Sequence, residues 1–405
     1  MPDFQNGKFF TSADLVKLDP DPMCASLPFQ PRIINNTWLQ LQMHCWRHWY
    51  YVGLRGLKTA ETSAHLTFGT LLHQGADIWT KGTALGLEPP DALDAALEHV
   101  LVESWPMGDE KDVFGGQYVE VYQCSDRTKT VTKKGIKRCE FSYREHLWHN
   151  DDNCQGCGRE IERRTAYHCP EKVKNRRSLI RAVVTLCDHL AGANIRAMRL
   201  EDGRIGSELR WFRELPLASP DGTPYLMTGS YDGAALEGQL ALPIGPEYKT
   251  TQREPNDAYF ASMCASPQCL TYSWSGVQDF GKQFRVLYIV LYLTGGSCEI
   301  VTKRVYLAPD QLQEWEDDML SYIREGEIRA GLAADLEGRG LDPIAAYPRR
   351  LSACHSLPGA TSTPCEFLRV CTQPRCDREG SLDNNFKVEH YNPLGTRETE
   401  VKEEE

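Results

Sequence analysis

Hydrophobic positions along the chain follow two rhythms. The first is helical. Thr37 to about Leu57 predicts an aromatic-rich helix. Ser63–Gly82 predicts a second, with Leu72, Ala76 and Trp79 at helical spacing, and Pro89–Glu103 a third. Val173–Ala193 continues the pattern, with Ile180, Val183, Val184, Cys187 and Leu190 sharing one face. Then a strand-rich stretch takes over. Ser207–Leu215, Tyr225–Leu236 and Leu240–Thr250 read as successive strands, with Asp221-Gly222 at the turn between the first two. Ala258–Val277 returns to helix. Phe284–Leu293 and Glu299–Leu307 read as a strand pair joined at Gly295-Gly296, and Pro309–Ala330 as a closing helix. The order α-βββ-α-ββ-α predicts a mixed α/β domain.

Three stretches break these rhythms. Residues 1–30 carry prolines without periodicity and read as an extended lead-in. In residues 116–172, Lys and Arg alternate with Thr over 127–138, and five cysteines fall between Cys124 and Cys169, so a metal ion rather than side chains is the expected core of this small insertion. After Tyr347 come Cys354, Cys365, Cys371 and Cys376, and beyond Asp377 an acidic tail that reads as disordered. The expected plan is therefore 1–30 lead-in, 31–115 helical part, 116–172 insertion, 173–347 core, 348–377 cysteine segment and 378–405 tail.

Charge and cysteine content narrow the chemistry. The 405 residues carry 45 Lys and Arg against 56 Asp and Glu, a net charge of −11. That argues against a general nucleic-acid coat. It leaves room for an enzyme with one local basic groove and a carboxylate-rich metal site. The longest apolar run, Val286–Leu293, has eight residues. A membrane-spanning helix needs about 20, so no membrane partner is expected. The start, MPDFQNGKFF, lacks the pattern of a secretory signal, and a cytoplasmic location is expected. In such a reducing compartment the 15 cysteines read as metal ligands or buried thiols, not a disulfide framework. The scattered Cys24, Cys187, Cys264, Cys269 and Cys298 suit buried small hydrophobes.

The informative stretch is GSYDGAALEGQLALPIGPEYKTT, 229–251. Glu247 and Lys249, two apart on one strand, share a face, with Tyr248 opposite. If this strand forms a hairpin with the one before it, Asp232 approaches Glu247. Two converging carboxylates repel unless a divalent cation lies between them, and hard oxygen donors favour Mg²⁺ or Mn²⁺. An adjacent ammonium completes equipment for phosphodiester hydrolysis: a metal-generated nucleophile and stabilisation of the charge that develops on the phosphate. On spacing alone, a surface hairpin with ordinary charges fits as well. Two further features bear on the choice. FGTLLHQG, 68–75, places His73 on a helix behind a close-packing Gly69, as a possible further metal ligand. Gln268 and Tyr272, four apart, lie on one helical face.

Taken in order, these elements resemble the PD-(D/E)XK nuclease superfamily, and within it the RecB-type exonucleases that carry an iron–sulfur cluster, as in CRISPR-associated and bacteriophage versions. The resemblance covers about 35–82 and 205–371. It rests on Cys45, Gly69/His73, Gly229/Asp232, Glu247/Lys249, Gln268/Tyr272, Cys354 and Cys365/Cys371. It implies a restriction-endonuclease-like mixed sheet flanked by helices. It further implies metal binding by His73, Asp232, Glu247 and the backbone carbonyl of Tyr248, a catalytic Lys249, and support of site and DNA by Gln268 and Tyr272. One departure is Tyr231, where the superfamily name has proline. The resemblance also implies a [4Fe–4S] cluster on Cys45, Cys354, Cys365 and Cys371, tying the N-terminal helices to the C-terminus. Cys376 competes with Cys354 for this place.

The insertion lies outside that resemblance. In CQGCGREIERRTAYHC, 154–169, Cys154 and Cys157 form a knuckle suited to Zn²⁺. The third ligand is His168 or Cys169, and the fourth Cys139, Cys124, His146 or His149; the set carried forward is Cys139, Cys154, Cys157 and Cys169. Its lysines and arginines suit phosphate contacts.

The expected function is a divalent-metal-dependent DNA exonuclease acting on ends or single strands. Its role would be recombination or repair, in a prokaryotic or phage-infected cell, with a recombination or single-strand-binding protein as a further partner. The alternative is a catalytically inactive nuclease fold serving as a DNA-binding or assembly subunit. The joint presence of Asp232, Glu247 and Lys249 favours the enzyme. Oligomeric state is left open.

Overall fold

The computed structural model describes residues 33–59, 64–105, 109–124, 130–132, 135–137, 161–200, 203–220, 222–354 and 365–388. Cys24, Asp221, Cys139, His146, His149, Cys154 and Cys157 lie outside them, as does the side chain of Cys124. The leading zinc set therefore falls almost wholly outside the described residues.

The chain is a mixed α/β protein. Its centre is the strand Arg285–Leu293 (RVLYIVLYL), whose near-continuous apolar run buries both faces. Val286, Tyr288 and Val290 enter one core, and Leu287, Ile289, Leu291 and Leu293 the other. In chain order the strands are β1 (Ile33–Asn35), β2 (Leu57–Thr59), β3 (Gln117–Cys124), β4 (Thr130–Thr132), β5 (Gly135–Lys137), β6 (Ile161–His168), β7 (Ile195–Ala197), β8 (Ser207–Ala218), β9 (Pro224–Gly233), β10 (Ala235–Glu237), β11 (Leu242–Thr251), β12 (Arg285–Leu293), β13 (Cys298–Val305) and β14 (Phe386–Val388). The main sheet runs β13-β12-β11-β10-β7, and a second runs β1-β9-β8. β11 and β12 are parallel, so the chain between them must cross over, and it does so through helices.

The helices are α1 (Asn36–His44), α2 (Ala64–Ala84), α3 (Pro89–Ser104), α4 (Arg176–Gly192), α5 (Asp257–Cys264), α6 (Pro267–Phe280), α7 (Pro309–Gly338) and α8 (Arg375–Asn385). One face of the sheet packs on α2, α3 and α4 through Leu72, Ala96 and Leu186. The other packs on α6 and α7 through Trp274, Trp315 and Ile323. Among the described residues no helix is long and apolar enough to cross a membrane.

Several expectations need correction. The predicted first helix is interrupted at Cys45, whose backbone is extended (φ −164°, ψ 122°); Trp46–Trp49 and a π-type turn, Tyr50–Leu54, follow. The predicted helix 258–277 is two helices. Ser266 caps the second, accepting from the Cys269 N–H at 3.2 Å, and Pro267 occupies its first turn, where no N–H is needed. The predicted strand 225–236 ends at Gly233, and the tail from 378 is not all irregular: α8 and β14 form there, with β14 antiparallel to β2. Gly69 meets no neighbour; the close-packing glycines of α2 are Gly75, where a Cβ would stand 3.1 Å from Val100 and 3.2 Å from Val183, and Gly82, where it would stand 3.1 Å from Leu87 and 3.2 Å from Ala92.

A third, smaller core joins the two ends of the described chain. Tyr51, Leu57, Ile344, Phe367, Val370, Cys371 and Leu382 form it. Phe367 stacks on Phe386 at 4.5 Å. The buried Arg47 donates to the carbonyls of Tyr347 (2.9 Å) and Ile344 (3.3 Å), satisfying acceptors that would otherwise be orphaned.

Candidate active site

β9 and β11 do not pair as a hairpin. β9 is antiparallel to β8 and parallel to β1, while β11 lies between β10 and β12. Asp232 reaches β11 through a side-chain bond instead: its Oδ2 accepts from the Tyr248 N–H at 2.9 Å. The sequence motif Gly229-Ser-Tyr-Asp232 has a packing reason at its glycine. A Cβ there would stand 2.5 Å from the Trp211 indole on the facing strand. Tyr231 is buried and donates to Asp279 Oδ2 at 3.0 Å.

On β11 the pleat does as expected. Glu247 and Lys249 meet at 2.5 Å (Oε1 to Nζ), and Tyr248 packs into the opposite core. Because Pro267 restarts the helix, Gln268 and Tyr272 in the first turns of α6 face this pair. Gln268 accepts from Lys249 Nζ at 3.0 Å and donates to Glu247 Oε1 at 2.8 Å; its Nε2 is 3.3 Å from the Tyr272 hydroxyl. One carboxylate oxygen of Glu247 is thus doubly held. The other, Oε2, is buried without a hydrogen-bond partner, although the residue has no exposed surface. A buried carboxyl oxygen left this way is costly unless something absent from the chain itself engages it.

α2 supplies the imidazole. His73 Nδ1 lies 3.3 Å from Asp232 Oδ1, and Nε2 is 3.2 Å from the Tyr248 carbonyl. A residue that sequence reading missed joins them. Glu208 Oε1 is 3.9 Å from His73 Nδ1, and the donor atoms of His73, Glu208 and Asp232 lie within 4.8 Å of one another. Glu247 is not in that tight group. No cysteine belongs to such a group among the described residues.

The electrostatics match a centre crowded with negative charge. Burial, then repulsion by Asp232, pushes the Glu247 carboxyl up to about 8, outweighing Lys249. Burial and Asp232 push Glu208 up to about 7. Burial pulls the His73 imidazole down, but Asp232, Glu247 and Glu208 outweigh it and hold it at about 9. Burial lowers Lys249 too, yet Glu247 and Asp232 leave it raised, so Lys249 is a cation here rather than a base. A cavity of about 400 Å³ opens nearby, lined by Trp79, Arg196, Pro246 and Tyr248 among others, but none of the four acid and histidine side chains lines it.

Away from these side chains in sequence, Cys45, Cys354 and Cys371 are buried and Cys365 is partly buried, whereas Cys376 is exposed. Cys354, Cys365 and Cys371 each sense the thiol of Cys45. Burial, and then the thiols of Cys354, Cys371 and Cys45, push Cys365 up to about 11. Cys354 and Cys371 are also raised, chiefly by burial and in part by Cys45. Cys45 Sγ accepts from the Arg350 N–H at 3.4 Å. Cys169, from the zinc set, donates its thiol to the Phe114 carbonyl at 3.4 Å.

No protein-family model matches the sequence, and no curated protein does. Among solved structures, a chain from Eubacterium rectale described as a "putative exonuclease" aligns over 79% of this chain and 87% of its own, at 9% identity and a TM-score of 0.33. A chain described as SSO0001 aligns over 34% of this chain at 13% identity and a TM-score of 0.21; the match spans 56% of that chain's length. Likenesses at such scores carry no weight for activity, so the functional reading rests on the site itself.

Proposed function

We propose that this chain is a divalent-metal-dependent nuclease hydrolysing phosphodiester bonds, with DNA ends or single strands as substrate. The observation that carries the reading is the convergence, from α2, β9, β11 and α6, of His73, Asp232, Glu247, Lys249 and Gln268 on one centre. There a buried carboxylate oxygen, Glu247 Oε2, has no partner. The donors fit a hard divalent ion: carboxylates from Asp232 and Glu247, the Tyr248 carbonyl and one imidazole nitrogen. Such an ion, when bound, lowers the pKa of a coordinated water and draws charge from the phosphate.

The chain's own groups do the rest. Lys249, fixed by Glu247 and Gln268, holds a positive charge where negative charge grows on the phosphate. Gln268, with Tyr272 behind it, keeps the Glu247–Lys249 pair from collapsing into an isolated salt bridge. Tyr248 donates its N–H to Asp232, which fixes that carboxylate for its task.

Four thiols at the C-terminal core suit a [4Fe–4S] cluster on Cys45, Cys354, Cys365 and Cys371. Ligation of such a cluster would release the protons that burial now holds on the sulfurs. Cys376, exposed on α8, is the weaker candidate. A zinc site in the insertion, on Cys139, Cys154, Cys157 and Cys169, remains part of this proposal on sequence grounds.

The test is digestion of end-labelled linear DNA with Mn²⁺ or Mg²⁺. Lys249→Ala and Asp232→Ala should each lower the rate by a factor of about 100 or more, the loss typical of removing a charge-stabilising group. Equal digestion by the unaltered chain and both variants would remove the reading, as would no metal-dependent digestion at all.

A further inference from the structure

Glu208 occupies an unusual position for a strand residue. The ladder pairs Ser207 with Gly233 and Leu209 with Tyr231, so Glu208 stands opposite Asp232, and at that step the pairing is skipped. Its backbone lies in the left-handed region, φ +49°, which a side-chain-bearing residue adopts only at a cost. Two carboxylates directly opposite one another on antiparallel strands destabilise the pair. The 3.9 Å contact to His73 is too long to be a hydrogen bond and offsets little of this.

We propose that Glu208 is a further ligand of the divalent ion at this centre, closing it from the solvent side together with His73 and Asp232. The proposal rests on the nuclease reading above and extends its ligand set. Two observations carry it independently. The donor atoms of His73, Glu208 and Asp232 already lie within 4.8 Å of one another. And Glu247 Oε2, fully buried beside these carboxylates, has no hydrogen-bond partner in the chain, because Lys249 and Gln268 engage only Oε1. Asp232 and Glu247 grip from inside the fold, while Glu208 is exposed. It therefore meets the ion on the face where water and a substrate phosphate arrive. Mixed imidazole and carboxylate donors favour Mn²⁺ over Mg²⁺.

The experiment is Mn²⁺ titration of the chelator-stripped full chain by calorimetry, without DNA, alongside thermal melting of the metal-free protein. Glu208→Gln should weaken Mn²⁺ binding by about tenfold or more, at least the loss seen when an outer hydrogen-bond partner of a metal ligand is removed. Glu208→Gly should weaken it equally while melting at or above the temperature of the unaltered chain, because glycine accepts φ +49° without strain. Unchanged Mn²⁺ affinity in either variant overturns the assignment of Glu208. So does a metal-free Glu208→Gly chain that melts lower, which would mark a structural role. If Glu208 variants bind normally while Asp232→Asn does not, the nuclease reading stands and Glu208 alone falls. If the unaltered chain binds no Mn²⁺, both fall together.

Discussion

At the scale of single residues, the site is held in a costly state of charge. His73, Glu208 and Glu247 all have folded-state values above their ordinary ones, at about 9, 7 and 8. A raised value means that the folded chain binds more protons than the unfolded chain between the two values. The stability this contributes is complete below the unfolded value and is lost as pH rises through the folded one. For the two glutamates the window opens near 4.5, and for His73 it runs from 6.5 to about 9. Glu208 is solvent-screened and contributes least. The metal-free chain should therefore lose thermal stability steadily from about pH 5 to pH 9. Mn²⁺ should restore more at pH 8 than at pH 5, because a cation at the centre replaces the protons. Melting curves in chelator across that range check this; a midpoint that is flat or rising between pH 5 and 8 would contradict it.

At the scale of elements, the site depends on two local backbone decisions. The first is the break before Pro267. Had 258–277 been one helix, Gln268 would sit mid-helix on a different axis. Restarting at Pro267 places it in the first turn of α6, against Glu247 and Lys249. The second is the close approach of β8 and β9 at Gly229. Because a Cβ at 229 would stand 2.5 Å from the Trp211 ring, Gly229→Ala must move either the indole or the strand that carries Asp232. Overpacking of this kind costs about 1–3 kcal/mol. Denaturant unfolding should show that loss, and Mn²⁺ affinity should fall with it, since Asp232 lies three residues on. A change below about 0.5 kcal/mol, the range of neutral surface substitutions, would mean the indole yields freely.

At the scale of the whole molecule, the C-terminal segment is part of the fold rather than an appendage. Phe367, Val370 and Leu382 share a core with Tyr51 and Leu57, and Arg55 grips Glu379 with two bonds of 2.9 and 2.8 Å. If the four nearby thiols hold a cluster, an anaerobic preparation should be brown and contain about four irons per chain. Cys371→Ala should lower the iron content and the melting temperature, yet leave Mn²⁺ binding at the Asp232 centre intact, because separate cores carry the two sites. A colourless protein with full thermal stability would leave the apolar core as the sole tie between the two ends.

Most elements were legible from local patterns along the chain, as was the shared face of Glu247 and Lys249. Its periodicities fix β12 as a doubly buried strand and place Glu247 and Lys249 on one pleat face, because alternation is a local property of the backbone. The α2 helix that carries His73 was legible for the same reason. Pairing was not. Asp232 approaches Glu247 by bonding to a backbone N–H rather than by the expected hairpin, since strand neighbours are chosen by the packing of both sheet faces, which no local pattern encodes. Glu208 was invisible because its role depends on standing opposite Asp232 in a left-handed backbone state, a relation between strands. The break at Pro267 was readable from capping rules, and the helical period across it concealed it. Local rhythm gave the parts; only long-range packing decided which charges had to share one space.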